Sequence, residues 1–144
     1  MKPIITEHHS EKVVKVRKIV DRIIRNQSIE TLNGLNEISI LDKMEPDIAF
    51  GRYKRAEQKI EIYLDNILKW QPWLIKKTYL FPFITIAMAL AHELDHHVNR
   101  NNNLIDREYS AEKNMLKYIY PAIGIFKPLI RFLLLFTPKQ PRNG

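Results

Sequence analysis

The chain has 144 residues, of which 45% are hydrophobic and 27% charged, with 4 Gly, 8 Pro and no Cys. That is one domain's worth of sequence with enough apolar material for a core, and it excludes collagen-like, low-complexity and globally disordered chains. Without cysteine there is no disulfide framework, thiol nucleophile or thiolate zinc site, so any metal must be held by His and carboxylate. Twenty-three Lys and Arg against sixteen Asp and Glu give a net charge of +7, which favours an anionic partner such as nucleic acid, a lipid surface or an acidic substrate.

The opening MKPIITEHHSEKVV lacks the apolar stretch and small-residue cleavage site of a secretory leader, so no targeting segment is expected. From Glu11 to Gln27, Val13, Val16, Ile19, Val20, Ile23 and Ile24 recur at helical spacing, with Lys15, Lys18, Arg22 and Arg25 opposite. This predicts an amphipathic helix over 10–27, capped by Ser10. Its basic stripe reads as a solvated face, because no base-reading set of side chains accompanies it; nucleic acid is therefore disfavoured as a partner.

Between residues 37 and 64 the period shortens, with β-type runs at Glu37 to Leu41, Ile48 to Tyr53 and Lys59 to Leu64. Ile60, Ile62 and Leu64 alternate with Lys59, Glu61 and Tyr63, and the pattern predicts a small antiparallel sheet with a hairpin turn near Arg55, Ala56 and Glu57. Asn66 to Lys77 reads as one or two short helical turns. The longest uncharged run, Thr78 to Ala91, is fourteen residues, short of the roughly 20 that cross a bilayer. It predicts a buried helix over 82–98, with Pro82 in its first turn, where a missing N–H costs nothing. The asparagines Asn101, Asn102 and Asn103 mark a loop, and a further helix is expected over 106–120, ended by Pro121.

The long helix carries His92-Glu93-Leu94-Asp95-His96, an H-E-x-x-H pattern. Two histidines four apart lie one turn above each other, so both imidazoles can reach one cation. Glu93, about 100° around from His92, stands beside that cation, where it can take a proton from a metal-bound water. The chain's own His and Glu frequencies give roughly a 1% chance of one such match by accident. A catalytic zinc takes three protein ligands and an open position. Glu108 is taken as the third; Asp106 competes for that place, although its position suits a helix N-cap better. Glu112, one turn beyond Glu108, is the candidate acceptor for a ligating histidine's other N–H, while adjacent His97 reads as solvent-facing or outside the ligand set.

Arg107-Glu108-Tyr109-x-Ala111 following H-E-x-x-H resembles the gluzincin metallopeptidases, in particular the soluble minimal gluzincins and the catalytic core of the CAAX prenyl endopeptidase and HtpX membrane proteases. The resemblance implies a single α+β zincin-like domain over 1–144: backing helix, small antiparallel sheet over 37–64, active-site helix, glutamate helix and a hydrophobic C-terminal segment over 121–144. It implies one Zn2+ per chain held by His92, His96 and Glu108, and a Glu93-activated, zinc-bound water that hydrolyses peptide bonds. Two departures stand out: the family usually has Asp where this chain has Glu112, and often a small residue where it has Asp95.

In such enzymes a peptide or protein substrate adds to a sheet edge. Lys59, Ile60, Glu61, Ile62 and Tyr63 form the candidate edge strand, and Tyr109, Tyr118, His97 and Arg107 are candidate transition-state stabilisers. Ile125 to Phe136 has three readings: a helix closing the core, an amphipathic segment on an anionic membrane surface, or, as the minimal gluzincins imply, a zymogen-like cover for the cleft, by tail or by homo-oligomer contact. A cytoplasmic protein with peripheral membrane association is the expected setting. The alternatives to a peptidase are a non-catalytic zinc-bound regulatory protein and a basic membrane-surface or nucleic-acid-binding module.

Overall fold

A computed structural model of the chain describes residues 2–8, 16–43, 49–69, 80–124 and 127–135. It is an α+β fold with a four-stranded mixed sheet. The elements in order are β1 (Ile4–His8), α1 (Val16–Arg25), α2 (Ile29–Leu32), β2 (Glu37–Leu41), β3 (Gly51–Lys54), β4 (Lys59–Tyr63), α3 (Leu64–Lys69), α4 (Leu80–Val98), α5 (Leu104–Ile123) and α6 (Lys127–Leu134). The expected Ser10 cap, the start of the second strand at Ile48 and most of the turns expected between Asn66 and Lys77 lie outside the described residues.

The strand order is β1-β2-β4-β3; β1–β2 and β2–β4 are parallel and only β3–β4 is antiparallel. This corrects the expected all-antiparallel sheet. It also corrects the expected edge: Lys59, Ile60, Glu61, Ile62 and Tyr63 form an interior strand, flanked by β2 and β3, and the edge beside it is β3. The physical reason lies in the polar half of the alternation. Glu61 is buried because Lys54 Nζ approaches it at 2.8 Å and the Tyr63 hydroxyl donates to it at 2.6 Å, so polar residues that look solvated in the sequence satisfy one another on a covered face. β1 escaped the sequence reading because Ile5 is its only residue packed against the core. The β3–β4 turn has no Asn-Gly; Gln58 takes the left-handed conformation with φ 50° instead.

Ile38, Ile40, Ile60 and Ile62 form one apolar sheet face. Against it lie the helices, with Ile19, Val20 and Ile23 of α1, Ile86, Leu90 and Leu94 of α4, and Ile119 of α5 in the same cluster. α4 is buried on nearly all sides from Phe83 to His97, and Ala87, Ala89 and Ala91 let neighbours approach its backbone. α1 fastens the far end of α5: Arg22 Nε donates to Ala122 O at 2.8 Å and Gln27 Nε2 to Tyr118 O at 2.7 Å. One member of the basic stripe is therefore a structural donor.

α5 is longer than expected at both ends. Its N-cap is Asn103, whose Oδ1 accepts from Asp106 N at 2.9 Å while its Nδ2 donates to Asp106 Oδ2 at 2.6 Å. Asp106 is thus the residue capped and not the cap. Pro121 lies inside the last turn and does not end the helix, although it has no N–H to give Lys117 O; Gly124 closes the helix at φ 54° with its N–H on Tyr120 O. In α6, Phe132 and Leu135 just past its end are exposed, so neither belongs to the core. Among the described residues no helix is long and apolar enough to cross a membrane.

Candidate metal centre

His92 and His96 stand on consecutive turns of α4, both buried, with their Nε2 atoms 3.0 Å apart and their rings nearly perpendicular at 89°. α5 packs against this stretch and delivers Glu108: Oε1 lies 3.2 Å from His96 Nε2 and Oε2 3.5 Å from His92 Nε2. Zn–N and Zn–O bonds of about 2.0–2.1 Å at tetrahedral angles place ligand atoms roughly 3.3 Å apart. The three observed separations bracket that value. The donor chemistry fits as well. Burial drives both histidines below their ordinary pKa, His96 to about 4, so at neutral pH each ring is uncharged. Two facing Nε2 atoms and a carboxylate then present three electron pairs to one point. His96 Nδ1 is buried without a partner; for Nε2 to ligate a metal the ring hydrogen has to sit on Nδ1.

Glu93 belongs to the same cluster, a carboxylate oxygen lying within 4.8 Å of one nitrogen of each ring. It is 2% exposed. Its seat is made by Gly51 of β3: a Cβ there would lie 2.9 Å from Glu93 Cγ and 3.0 Å from Glu61 O. Any side chain at position 51 would push the glutamate or the strand aside. This residue was not singled out in the sequence, where a glycine opening a strand carries no sign of what approaches it.

Asp95, the unusual residue between the histidines, turns away from the ring nitrogens onto α5. It is fully buried; Oδ1 accepts from the Tyr118 hydroxyl at 3.0 Å and Asn114 Nδ2 at 3.3 Å, and Oδ2 from Asn99 Nδ2 at 2.9 Å. Ser110 Oγ joins the two amides at 2.9 and 3.1 Å. The carboxylate therefore ties α4 to α5, the helix that carries Glu108, and its charge raises the pKa of both site histidines against the effect of burial.

His97 is fully buried, which corrects the expectation of a solvent-facing ring. Its Nε2–H donates to Asn33 O at 3.1 Å, which leaves Nδ1 to accept from the Tyr53 hydroxyl at 3.0 Å. It is a strut between α4, the end of α2 and the edge strand. The other stabiliser candidates separate by position. Tyr118 is committed to Asp95, and Tyr109 is 68% exposed with Lys113 Nζ above its ring. Arg107 is half-buried, and its charge reaches His96. Glu112 is exposed one turn past Glu108, and its charge acts on His92; the hydrogen bond expected of it is not made to His96, whose Nδ1 is unpartnered.

Comparison with family models, curated proteins and solved structures finds no match to this chain.

Proposed function

We propose that this protein is a zinc-dependent endopeptidase on a zincin-like minimal scaffold, with His92, His96 and Glu108 as the metal ligands and Glu93 as general base and acid. The observation that carries the reading is the convergence of two ring nitrogens and one carboxylate from two helices to within 3.0–3.5 Å, with a second buried carboxylate beside them. Zinc bound there supplies a Lewis acid for the peptide carbonyl and lowers the pKa of water. Glu93 takes a proton from the attacking water and returns it to the leaving amine nitrogen, and its burial beside Gly51 holds it to one position while it does so. Arg107 is the one of the four stabiliser candidates left for a developing oxyanion, being neither bonded into the fold nor turned to solvent.

The substrate strand is assigned to the side of β3 that pairs with no strand among the described residues, the other side pairing with β4. Backbone hydrogen bonds along that edge hold an extended peptide irrespective of its sequence. Glu93→Gln should keep zinc while kcat falls at least about a hundredfold, the range for loss of a general acid or base. Unchanged turnover in that variant would remove the mechanism.

A further inference from the structure

The net charge of +7 is not spread along the chain. From residue 113 onward Lys113, Lys117, Lys127, Arg131, Lys139 and Arg142 meet no Asp or Glu at all, so this stretch carries +6 and the rest, with seventeen cations against sixteen acids, is close to neutral. Three of these cations rest on aromatic rings. Lys113 Nζ lies 5.9 Å from the centre of the Tyr109 ring, Lys117 Nζ 5.7 Å from that of Tyr118 and Lys127 Nζ 5.6 Å from that of Tyr120. A ring face steadies an ammonium group without cancelling its charge, as a carboxylate would.

α6 adds apolar surface to this charge. Lys127, Pro128, Arg131 and Phe132 are exposed, and so is Leu135, whose N–H continues the last turn onto Phe132 O at 3.2 Å. At 100° per residue these five fall within an arc of about 140°, with Lys127 and Arg131 at one margin, Phe132 at the other, and Leu135 and Pro128 between. Phe132 is 58% and Leu135 78% exposed. One side of the helix therefore presents two large apolar side chains next to two cations, and α6 contains no acid, amide or hydroxyl side chain.

Exposed Phe and Leu favour an apolar medium, and the cations beside them favour anionic headgroups. Both demands are met together at the surface of an anionic bilayer. Nucleic acid would answer the charge alone, since Phe132 and Leu135 offer no donor or acceptor to a base edge. Eight residues of helix span about 12 Å against the roughly 30 Å of a hydrocarbon core, so α6 is suited to lie in the interface and not to cross it. We propose that the exposed side of α6 docks this protein on anionic membranes, with Phe132 and Leu135 entering the acyl boundary while Lys127 and Arg131 stay at the headgroups. The inference is independent of the metal centre and of what that centre does.

The test is co-sedimentation of the full-length protein with unilamellar vesicles, either of phosphatidylcholine alone or of phosphatidylcholine and phosphatidylserine at about three to one. Binding to the anionic vesicles should be at least about tenfold tighter and should weaken as salt rises. Lys127→Glu/Arg131→Glu and Phe132→Ser/Leu135→Ser should each cut it at least about tenfold while the circular dichroism of the folded chain stays the same, the four side chains being exposed. Because the chain has no cysteine, Pro128→Cys carries a single environment-sensitive dye, whose emission should shift to the blue on anionic vesicles and not on neutral ones. Glu93→Gln should bind vesicles as the wild type does, so loss of turnover and loss of docking are read apart. Equal binding to the two kinds of vesicle overturns the proposal. So does binding that survives Phe132→Ser/Leu135→Ser, or tighter binding to duplex DNA than to anionic vesicles, since either would leave charge alone at work.

Discussion

Each site side chain is held by something that can be removed singly. Gly51 is the sharpest case, since its role is to be absent: Gly51→Ala should displace Glu93 and lower kcat about a hundredfold, the cost of a misplaced catalytic group, while zinc content stays near that of wild type. Loss of zinc along with activity in Gly51→Ala would mean that the glycine serves the whole centre and not Glu93. Far from the site, Glu37 accepts from Ser39 Oγ at 2.6 Å and Thr6 Oγ1 at 2.7 Å and pairs with Lys59 at 3.2 Å, which holds its pKa down from 4.5 to about 2. A lowered folded-state pKa means that the unfolded chain binds the proton more readily. The stabilisation is therefore complete above about pH 4.5 and fades as the pH falls towards 2. Glu37→Gln should flatten the acid limb of the stability curve in that window, as followed by denaturant melts at successive pH values; an unchanged limb would mean that Glu37 titrates normally.

At the level of elements, the centre exists because α4 and α5 are locked in register, and Asp95 is the lock. Tyr118→Phe removes one hydrogen bond to that carboxylate and should destabilise the fold by about 1.5–3 kcal/mol. Because Glu108 rides on the same helix, zinc affinity should fall about tenfold as well, the scale seen when an outer support of a metal ligand is lost. Tyr109→Phe, on the exposed side, should do neither. Equal effects from the two tyrosines in melting and zinc titration would break the argument.

The helices were legible because their signals are local, periodic isoleucines in α1 and the apolar run with H-E-x-x-H in α4; α5 was expected too, but with Asp106 as its cap and Pro121 as its end, where Asn103 and Gly124 stand instead. Within the site, the His92–His96 pair was legible for the same reason, since i, i+4 spacing on one helix needs no knowledge of the fold, whereas the approach of Glu108 depends on how α5 packs on α4. What failed were statements about neighbours. β4 reads as an edge because the Lys54–Glu61–Tyr63 contacts that bury its polar face link two strands and cannot be seen in either alone. The solvent-facing reading of His97 failed likewise: a polar residue on a helix looks solvated until Tyr53 and Asn33 are placed against it, and what Asp95 does needed Tyr118 placed against it.

For the whole molecule, the proposed metal site would link binding to folding. The three proposed ligands come from two helices whose packing also buries Leu94, Ala111 and Tyr118, so a cation that binds only the folded chain would stabilise all of it. Zinc at a hundred times its dissociation constant should add about 2.7 kcal/mol to unfolding, and a chelator should lower Tm by the corresponding amount. A melting curve indifferent to zinc and chelator alike would mean that no such site forms. The net charge of +7 acts at this scale too, favouring the approach of anionic partners.

The most direct measurement is metal content by mass spectrometry on chelator-free, tag-free protein, wild type beside the His92→Ala/His96→Ala double variant. The account predicts close to one zinc per chain in the wild type and none in the variant. No metal in either, even after zinc is added, would contradict it and reduce the convergence of His92, His96 and Glu108 to a packing arrangement between two helices.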